Sequence, residues 1–410
     1  MQENEDKRNT SPVERRTETT GKTVCTFSSL VRSERRCHRR VGYKNSVSRF
    51  HLLTMSKCYG ICKDISNGSY KTGVGKSFEV YEPKYRIVTS TSYNDRIPQT
   101  SFVLDIFYPR VVPNMVAENF ACYKDKGVDA ARDKMIENLK LANMDDYVLC
   151  ADIKNYFGSI DHQKLIEELV PFIGHEDIWF YEDVIESNKQ NIGLTLGSEI
   201  NQLSASSFLY RFDKIAVSMG LYERYMDDIR FIGSKERCLK VLEILENFAR
   251  SVNLELSVKK TYIQPISRPV SFLGFTFLKH PSGKVTMKRK KDKVNHEKRK
   301  LRRMKKVNVP FERVQVHCQS VRAGLKKGNR SGVVKYDNFV KSLFAEEMQN
   351  ENHESKQSGR SQYEESIFPL VTCGRKNRGR NQNGVSHPGE IFDLSGTDAS
   401  QKETHECPPG

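Results

Sequence analysis

Two adjacent aspartates stand between two short apolar-containing runs in the segment LYERYMDDIRFIGS, residues 221–234. The runs predict a β-hairpin with Asp227 and Asp228 at its turn. Short carboxylate side chains on a rigid turn can bind hard cations such as Mg2+ and still leave coordination positions for phosphate oxygens and water. The tetrapeptide Tyr225–Asp228 therefore indicates metal-dependent chemistry on phosphates.

A pair of metal ions held close together needs a third carboxylate from another element. Asp152 is the natural supplier, because it ends a hydrophobic run at residues 147–151 that predicts a short buried strand. An Asp-Asp pair alone is weak support, since Asp145 and Asp146 form another that is more typical of a turn between a helix and a strand. The strand context and the upstream aspartate favour the hairpin at Tyr225–Asp228.

The elements that must position these aspartates follow from apolar periodicity. Helices are expected at residues 130–141, 162–169, 202–219, 235–252 and 314–325. Strands are expected at residues 78–90 as a hairpin, 147–151, around 226–227, 254–257, 271–278 and 284–287. The order β, α, α, β, β, α, β predicts an α+β fold in which a split β-α-β sheet carries helices on one face.

The net charge of +16 is unevenly distributed along the chain. Residues 288–306 contain twelve Lys or Arg and two acids, residues 1–54 contribute +6, and the remaining residues sum to zero. A basic segment beside a neutral core suits a ligand with a phosphate backbone, because each neutralised phosphate releases counterions. A solvated helix face would account for the charge equally well, so charge alone leaves both interpretations open.

The ends of the chain differ from its middle. Residues 1–54 lack periodicity and, like residues 346–410, are expected to be disordered, with Met55 as an alternative start. The absence of an apolar membrane-length window and of a secretory signal favours the cytoplasm. The ten cysteines form no CxxC pair, which predicts free thiols, and a metal site at Cys58 and Cys62 lacks clear partners.

Two segments resemble the catalytic motifs of bacterial reverse transcriptases. Residues 152–162, DIKNYFGSIDH, are similar to the first motif of that family, and Tyr225–Asp228 is similar to the second. The resemblance covers roughly residues 78–345. It implies that Asp152, Asp227 and Asp228 are catalytic and that they, with Ile153, form the metal set.

The same resemblance implies a right-hand polymerase fold that copies RNA into DNA from dNTPs. The expected cofactors are two Mg2+ ions, with Mn2+ as an alternative, one activating the primer 3′-hydroxyl and the other neutralising the triphosphate. Fingers and palm would span residues 55–287, and a short basic helical thumb would span residues 288–345. The basic run at residues 288–306 then becomes a nucleic-acid contact.

Further blocks of the chain resemble the family's nucleotide-binding segments. Phe157 matches the aromatic residue whose ring leaves no room for a 2′-hydroxyl. Basic residues of two upstream blocks would grip the incoming triphosphate: Lys84, Arg86 and Arg96. Lys260 matches a lysine that can protonate the pyrophosphate leaving group. The segment at residues 271–275 is similar to the primer grip, although an ordinary apolar strand has the same pattern.

The block GLTLGSEINQ, residues 193–202, is the most discriminating. Its Leu196, Gly197 and Gln202 resemble the pattern of diversity-generating retroelement enzymes, in which Gly197 would permit close approach to the templating base pair. Loss of the usual glutamine at Leu196 is linked in that family to errors at template adenines. The implied partners are a structured template RNA, the cDNA and a small basic accessory protein, with no membrane.

Asn201 stands where that family usually has serine. The alternatives are therefore a phage-defence reverse transcriptase of the abortive-infection type, followed by retron or group II intron enzymes. A catalytically inactive RNA-binding scaffold is the alternative from another class, and the intact aspartates argue against it.

Overall fold

Antiparallel sheets and helices alternate along the chain, in agreement with the predicted α+β class. A computed structural model describes residues 24–39, 41–81, 85–328 and 330–349. The helices are α1 Phe27–His38, α2 Asn45–Leu52, α3 Thr54–Ser66, α4 Tyr93–Phe102, α5 Val128–Leu141, α6 Tyr156–Ser159, α7 His162–Ile173, α8 Ile178–Ile185, α9 Glu199–Ser207, α10 Tyr210–Met219, α11 Lys235–Ser251, α12 Lys291–Lys306, α13 Phe311–Lys326 and α14 Arg330–Leu343. A π-helical segment, Val103–Val111, continues from α4.

The strands form three antiparallel sheets. They are β1 Lys76–Val80, β2 Arg86–Ser90, β3 Tyr147–Asp152, β4 Leu221–Tyr225, β5 Asp228–Gly233, β6 Tyr262–Pro265, β7 Val270–Phe272, β8 Phe275–Lys279 and β9 Val285–Arg289. The central sheet has the order β4-β5-β3-β6, and the other two sheets are the hairpin β1-β2 and the meander β7-β8-β9. The prediction of a hairpin at residues 78–90 is confirmed.

Side-chain oxygens fix where several helices begin. Ser92, Asp161, Ser198 and Ser234 each accept a hydrogen bond from the backbone N–H three residues on. Such a cap satisfies one of the N–H groups that the first turn of a helix leaves without a partner. These caps set the starts of α4, α7, α9 and α11.

The central sheet is covered on both faces, so the prediction of helices on one face is wrong. Leu149, Ala151 and Phe231 pack into the larger core with helices such as α10 and α11. Val148 and Ile232 point to the other face, where they meet α5 and the meander. Successive side chains of a strand point to opposite faces, so these nearly continuous apolar strands require two covers.

The meander is attached to helix α5 by a buried lysine. Lys279 is 6% exposed, and its Nζ donates to the carbonyl oxygens of Leu139 at 2.8 Å, Lys140 at 3.2 Å and Ala142. These carbonyls lie at and just beyond the C-terminal end of α5, where the helix dipole favours a positive charge. The contact ties the meander to the central sheet through α5.

The prediction of disorder for residues 1–54 is wrong wherever the structure describes them. Helices α1 and α2 bury Leu30 and Phe50 in the larger core, and α1 packs against α3 and α4. The buried face of α1 also contains Ser29, Ser33 and Glu34. Because three of its four buried residues are polar, the helix buries few apolar side chains, although its arginines are exposed.

Other expected elements differ from the observed ones in their bounds. The helix predicted at residues 202–219 is two helices, α9 and α10, which meet at Phe208 and Leu209. The strand predicted at residues 254–257 is reduced to one bridge, Ile153 with Leu256. The strand predicted at residues 271–278 is broken by a turn at Leu273 and Gly274, both of which have positive φ.

Three helices, α12 to α14, occupy residues 291–343. On α12 only Leu301 is buried, and the Lys and Arg side chains of this helix are exposed or partly buried. The predicted disordered tail begins at residue 346, but residues 346–349 are helical, and residues 350–410 lie outside the described residues. In the part of the chain that the structure describes, no helix is long and apolar enough to cross a membrane.

Candidate active site

The hairpin that carries the predicted aspartates is formed by β4 and β5, which are joined by Met226 and Asp227. Tyr225 pairs with Asp228 across the turn, and Met226 has φ 57°. A two-residue hairpin connection commonly needs a positive φ, which is unusual for a side chain as large as methionine. The turn therefore holds Asp227 at the tip of the hairpin.

Asp152 reaches the same end of the sheet from β3. It is the register partner of Asp228 in the antiparallel pair β3-β5, so the two carboxylates belong to neighbouring strands. Cross-strand partners have Cβ atoms about 4.5–5.5 Å apart. The sheet thus brings together the three aspartates that the sequence singled out.

The environment of Asp227 disfavours its ionised form. Burial, together with the negative charges of Asp152 and Asp228, raises the pKa of this carboxyl to about 6. Lys260 acts in the opposite direction. Like charges at one site make ionisation costly unless a cation is present. A cation bound near the three carboxylates would therefore stabilise their ionised forms.

Lys260 lies against Asp152. Its Nζ donates to both carboxylate oxygens of Asp152 at 2.8 Å, and this hydrogen bond raises the pKa of the lysine. The preceding segment is held in place because the N–H of Lys154 donates to the carbonyl of Glu255 and the N–H of Ser257 donates to that of Asp152, both at 2.8 Å. These backbone hydrogen bonds therefore hold the exposed Lys260 beside the buried Asp152.

Asp228 also has a cationic neighbour. Arg230 lies 2.6 Å from its Oδ1 and donates to the carbonyl of Ser271 on β7. The cross-strand partner of Arg230 is Glu223, which is fully buried and has no hydrogen-bond partner for either carboxylate oxygen within the described residues. Burial raises the pKa of Glu223 well above its ordinary value, which favours the protonated form of this carboxyl.

The oxygen-rich donor set fits a hard divalent cation, although its present arrangement is closed. Among the described residues, no group of three or more His, Cys, Asp or Glu side chains is arranged to hold a metal ion. Lys260 forms an ion pair with Asp152, and Arg230 forms one with Asp228. A bound metal ion would therefore displace these two side chains from the aspartates. Ile153 is buried and apolar, and only its main-chain carbonyl could contribute a ligand.

A buried ion pair contacts the turn between β4 and β5. Arg224 and Asp213 are both fully buried, and the Nε of Arg224 donates to Oδ1 of Asp213 at 2.7 Å. The same guanidinium donates to the carbonyl of Met226 at 2.9 Å and to that of Ser206 at 2.8 Å. Arg224 thus connects α9 and α10 to the turn that presents Asp227.

A cavity of ≈690 Å³, called here the first cavity, opens beside the residues that follow Asp152. Phe157, Arg86 and Leu196 are among its lining residues. Phe157 is half-buried and packs edge-on against Tyr156, with ring centroids 6.1 Å apart. The first cavity therefore brings the expected steric gate, one expected phosphate-binding arginine and the discriminating leucine into one space.

The remaining nucleotide-binding candidates lie elsewhere. Arg96, Gly197 and Gln202 line a neighbouring cavity of ≈690 Å³, called here the second cavity. Lys84 falls outside the described residues. The structure therefore divides the predicted nucleotide set between two cavities, which share Thr91, Gln99 and Ser198 as walls.

Gly197 marks the boundary between the cavities. A Cβ at this position would lie 1.9 Å from the carbonyl oxygen of Thr89 on β2, so only glycine allows this approach. The close approach that Gly197 allows in this structure is to the backbone of β2, and its expected role beside a templating base pair stays a prediction. Gln202 likewise donates to the carbonyl of Leu196 at 3.2 Å, and so it shapes the loop.

Part of the chain matches a family of known proteins. Residues 75–277 match the family model described as reverse transcriptase (RNA-dependent DNA polymerase). The chain contains a reverse transcriptase domain. The domain is that of an RNA-directed DNA polymerase, which is a nucleotidyltransferase, and the match includes the three aspartates, Phe157 and Lys260.

Two solved structures of telomerase align with the chain at low similarity. The apo telomerase from Candida tropicalis aligns with 12% identity and a TM-score of 0.42, over 75% of this chain and 64% of that chain. Its form truncated from the C-terminal domain aligns with 14% identity and a TM-score of 0.39, over 52% of this chain and 54% of that chain. The chain thus spans less than two thirds of these structures. No curated protein matches it.

Several residues around the site of the reverse transcriptase domain were not found by sequence reasoning. They are residues that contact elements distant in sequence: Arg224, Asp213, Arg230 and Glu223. The available signal was the run Glu223-Arg224, two charged residues inside a strand that is otherwise apolar or aromatic. Charged residues in a buried strand are rare unless they are paired, so they indicate a polar network.

Proposed function

We propose that this protein copies RNA into DNA by two-metal nucleotidyl transfer, with Asp152, Asp227 and Asp228 as the metal-binding carboxylates and the Ile153 carbonyl beside them. The observation that carries the proposal is the meeting of these carboxylates at one end of the central sheet, inside the reverse transcriptase domain. The raised pKa of Asp227 supports it, because a divalent cation would stabilise the ionised form. Mg2+ is the proposed ion, and Mn2+ can replace it.

The chain's own groups would orient the reactants and move protons. Two bound ions would supply Lewis-acid activation of the primer hydroxyl and charge neutralisation at the phosphates. Lys260 would leave Asp152 when the site fills, and its exposed ammonium could then donate a proton to the leaving pyrophosphate. Phe157 would exclude ribonucleotides from the first cavity by steric contact with a 2′-hydroxyl.

The subdomains of the proposal follow the right-hand polymerase arrangement. The β1-β2 hairpin would serve as fingers and the central sheet as palm. Helices α12 to α14 would form the thumb, with the exposed Lys and Arg side chains of α12 against the phosphates of the duplex.

Within the reverse transcriptases, we favour an error-prone enzyme of a diversity-generating retroelement. Leu196 lines the first cavity together with Phe157, so its apolar side chain lies where a glutamine could otherwise hydrogen-bond the nascent base pair. The proposed partners are a structured template RNA, the cDNA and a small basic accessory protein. A defence reverse transcriptase is the second candidate, because Asn201 departs from the retroelement pattern and fixes the loop by donating to Thr195 Oγ1 at 2.7 Å.

Primer extension tests the activity directly. Purified protein with Mg2+, dNTPs and a primed RNA template should extend the primer, and Asp227→Asn should abolish extension, because the variant loses a metal-binding charge. Asp145→Asn is the matched control, since it changes the other Asp-Asp pair at an exposed turn. Equal extension by Asp227→Asn and the wild type, or no extension by the wild type with its cognate RNA supplied, would contradict the proposal.

The subtype has its own test. Leu196→Gln should lower the error frequency at template adenines without abolishing extension, as measured by sequencing the cDNA. The neighbouring DNA should also contain a near-repeat pair that differs at adenines. An unchanged error spectrum and the absence of such a pair would favour the defence enzyme.

A further inference from the structure

Glu223 on β4 is a buried carboxyl group to which the proposed function gives no role. It is fully buried, and within the described residues neither of its carboxyl oxygens has a hydrogen-bond partner. Buried polar groups are almost always hydrogen-bonded, so an exception calls for an explanation. The charged groups that act on Glu223 are Arg230 and Asp228 on β5 and Lys134 on α5. The carboxyl group therefore lies near two cations and pairs with neither of them.

Arg230 is positioned to contact either Glu223 or Asp228. The three side chains point to the same face of the central sheet, because Asp228 and Arg230 are two residues apart on β5 and Glu223 is the register partner of Arg230. Cross-strand partners have Cβ atoms about 4.5–5.5 Å apart, which a long side chain can span. The guanidinium pairs with Asp228, at 2.6 Å from Oδ1. Its Nε has no hydrogen-bond partner in the described part of the chain, so Arg230 has a donor left for a second carboxyl group.

A metal ion at the three aspartates would compete with Arg230 for Asp228. Lys260, which faces the same competition at its own aspartate, can move into solvent because its side chain is 58% exposed. The side chain of Arg230 is 8% exposed, and its guanidinium lies 5.0 Å from the centroid of the Phe272 ring. A buried guanidinium that loses its anion is costly unless it finds another one. Glu223 is the carboxyl group that the strand register places beside it.

We propose that Glu223 is a positioning residue that accepts Arg230 when a divalent cation binds Asp228, so that the metal site and the Glu223–Arg230 pair form together. This inference rests on the proposed function and deepens it, because it states how the chain regulates its own metal site. Before the exchange, the raised pKa of Glu223 favours its neutral form, so the empty acceptor adds no unpaired charge to the core. As the guanidinium arrives, Glu223 ionises and its proton passes to solvent. Lys134 favours the ionised form as well.

Direct metal binding to the full chain tests the proposal. The probe is Mn2+ without nucleotide or RNA, measured by the electron paramagnetic resonance signal of the free ion. Glu223→Gln should weaken Mn2+ binding about fivefold or more, because the variant supplies no anion to the displaced guanidinium. Glu34→Gln is the matched control, because Glu34 on α1 is also fully buried and has one oxygen without a hydrogen-bond partner among the described residues. The control should bind Mn2+ as the wild type does.

A double-variant cycle separates positioning from a merely structural effect. Arg230→Gln should strengthen Mn2+ binding, because it removes the competitor for Asp228, and adding Glu223→Gln to it should have no further effect. Weaker binding by Arg230→Gln would overturn the proposal. So would a wild-type affinity of Glu223→Gln, or an equal loss of affinity with and without Arg230. Thermal unfolding monitored by circular dichroism checks that each variant is folded.

Proton release gives a readout that needs no change at Arg230. Calorimetry in two buffers with different ionisation enthalpies counts the protons that leave when Mn2+ binds. The wild type should release about one proton more than Glu223→Gln, because only the wild type has a carboxyl group to ionise at this position. Equal proton release by the two proteins would overturn the proposal even if Arg230→Gln did not fold.

Failure of the proposed function would look different. If Mn2+ binding depended on Glu223 as expected but the wild type did not extend a primer, the polymerase proposal would fail while the exchange of Arg230 would stand. If the wild type extended a primer and Glu223→Gln bound Mn2+ as the wild type does, only the exchange would fail.

Discussion

Removing either member of the Arg224–Asp213 pair should destabilise the protein strongly. Both side chains are fully buried, so Asp213→Leu would leave an unpaired guanidinium in the core, and Arg224→Met would leave an unpaired carboxylate. Loss of one partner of a buried pair costs about 3–5 kcal/mol. Each single variant should therefore lose that amount of unfolding free energy.

The double variant should lose much less than the sum of the two single variants. With both charges gone, the remaining cost is that of the hydrogen bonds to Met226 and Ser206 and the one from Tyr222 to Asp213, each worth about 1 kcal/mol net. Independent effects would total about 6–10 kcal/mol, whereas we expect about 3 kcal/mol for the double variant, so the coupling energy should be at least about 3 kcal/mol.

Urea unfolding of the wild type, both single variants and the double variant measures this coupling. The pair Lys154–Glu255 is the control, because its side chains are 62% and 69% exposed at a comparable 2.8 Å separation. Its coupling should stay below about 1 kcal/mol. Additive losses at Arg224 and Asp213, or a coupling no larger than that of the control pair, would refute the reasoning.

Three further changes have definite expected outcomes. Gly197→Ala should lower the free energy of unfolding by about 1–3 kcal/mol, because its Cβ would meet the Thr89 carbonyl. The control Gly60→Ala, with open space around its Cβ in helix α3, should raise that free energy by about 0.5–1 kcal/mol. Equal urea midpoints for the two variants would show that the close approach is not real. The raised pKa of Glu223 means that the folded state binds its proton more tightly than the unfolded state, so this group's contribution is lost as pH rises above its unfolded-state pKa. Glu223→Gln should therefore raise the urea midpoint at about pH 8 and have no such benefit near pH 4, and a gain independent of pH would exclude ionisation as the cause. Deletion of residues 1–54 should abolish cooperative thermal unfolding, because it removes Leu30 and Phe50 from the core, and an unchanged melting curve would show that α1 and α2 are dispensable.

The β4-β5 hairpin could be predicted because its signal is local. Apolar runs on either side of Tyr225–Asp228 specify two strands and a turn, and the run before Asp152 specifies a third strand. Antiparallel pairing of short buried strands then leaves few ways to arrange the three aspartates. The pairing of Asp152 with Asp228 is one of them.

The division of the nucleotide-binding candidates could not be predicted. Arg96, Gly197 and Gln202 are near Arg86 or Leu196 in sequence, and only the long-range contact between Gly197 and Thr89 places them in a different cavity. Sequence spacing contains no information about which side of such a contact a side chain lies on. The role of each residue was therefore open until the tertiary structure was known.

The N-terminal helices were missed for a different physical reason. Helix α1 buries serine and glutamate beside Leu30, and Ser29 Oγ is satisfied by Ser101 Oγ at 2.5 Å. A helix whose buried residues are mostly polar offers few apolar positions from which its burial could be predicted. A charged composition suggested a disordered extension, although the described part of it belongs to the core.

The buried ammonium of Lys279 has a consequence for engineering the protein. Lys279 lies on the same face of β8 as Phe275 and Phe277, so a one-residue slip of this strand would replace a cation held by three carbonyls with Leu278. The alignment of β8 is thereby determined at α5 and does not depend on the turn at residues 280–283. That turn is a suitable place to insert an affinity tag or a fluorophore, because a longer loop there would leave the strand and everything it supports in position.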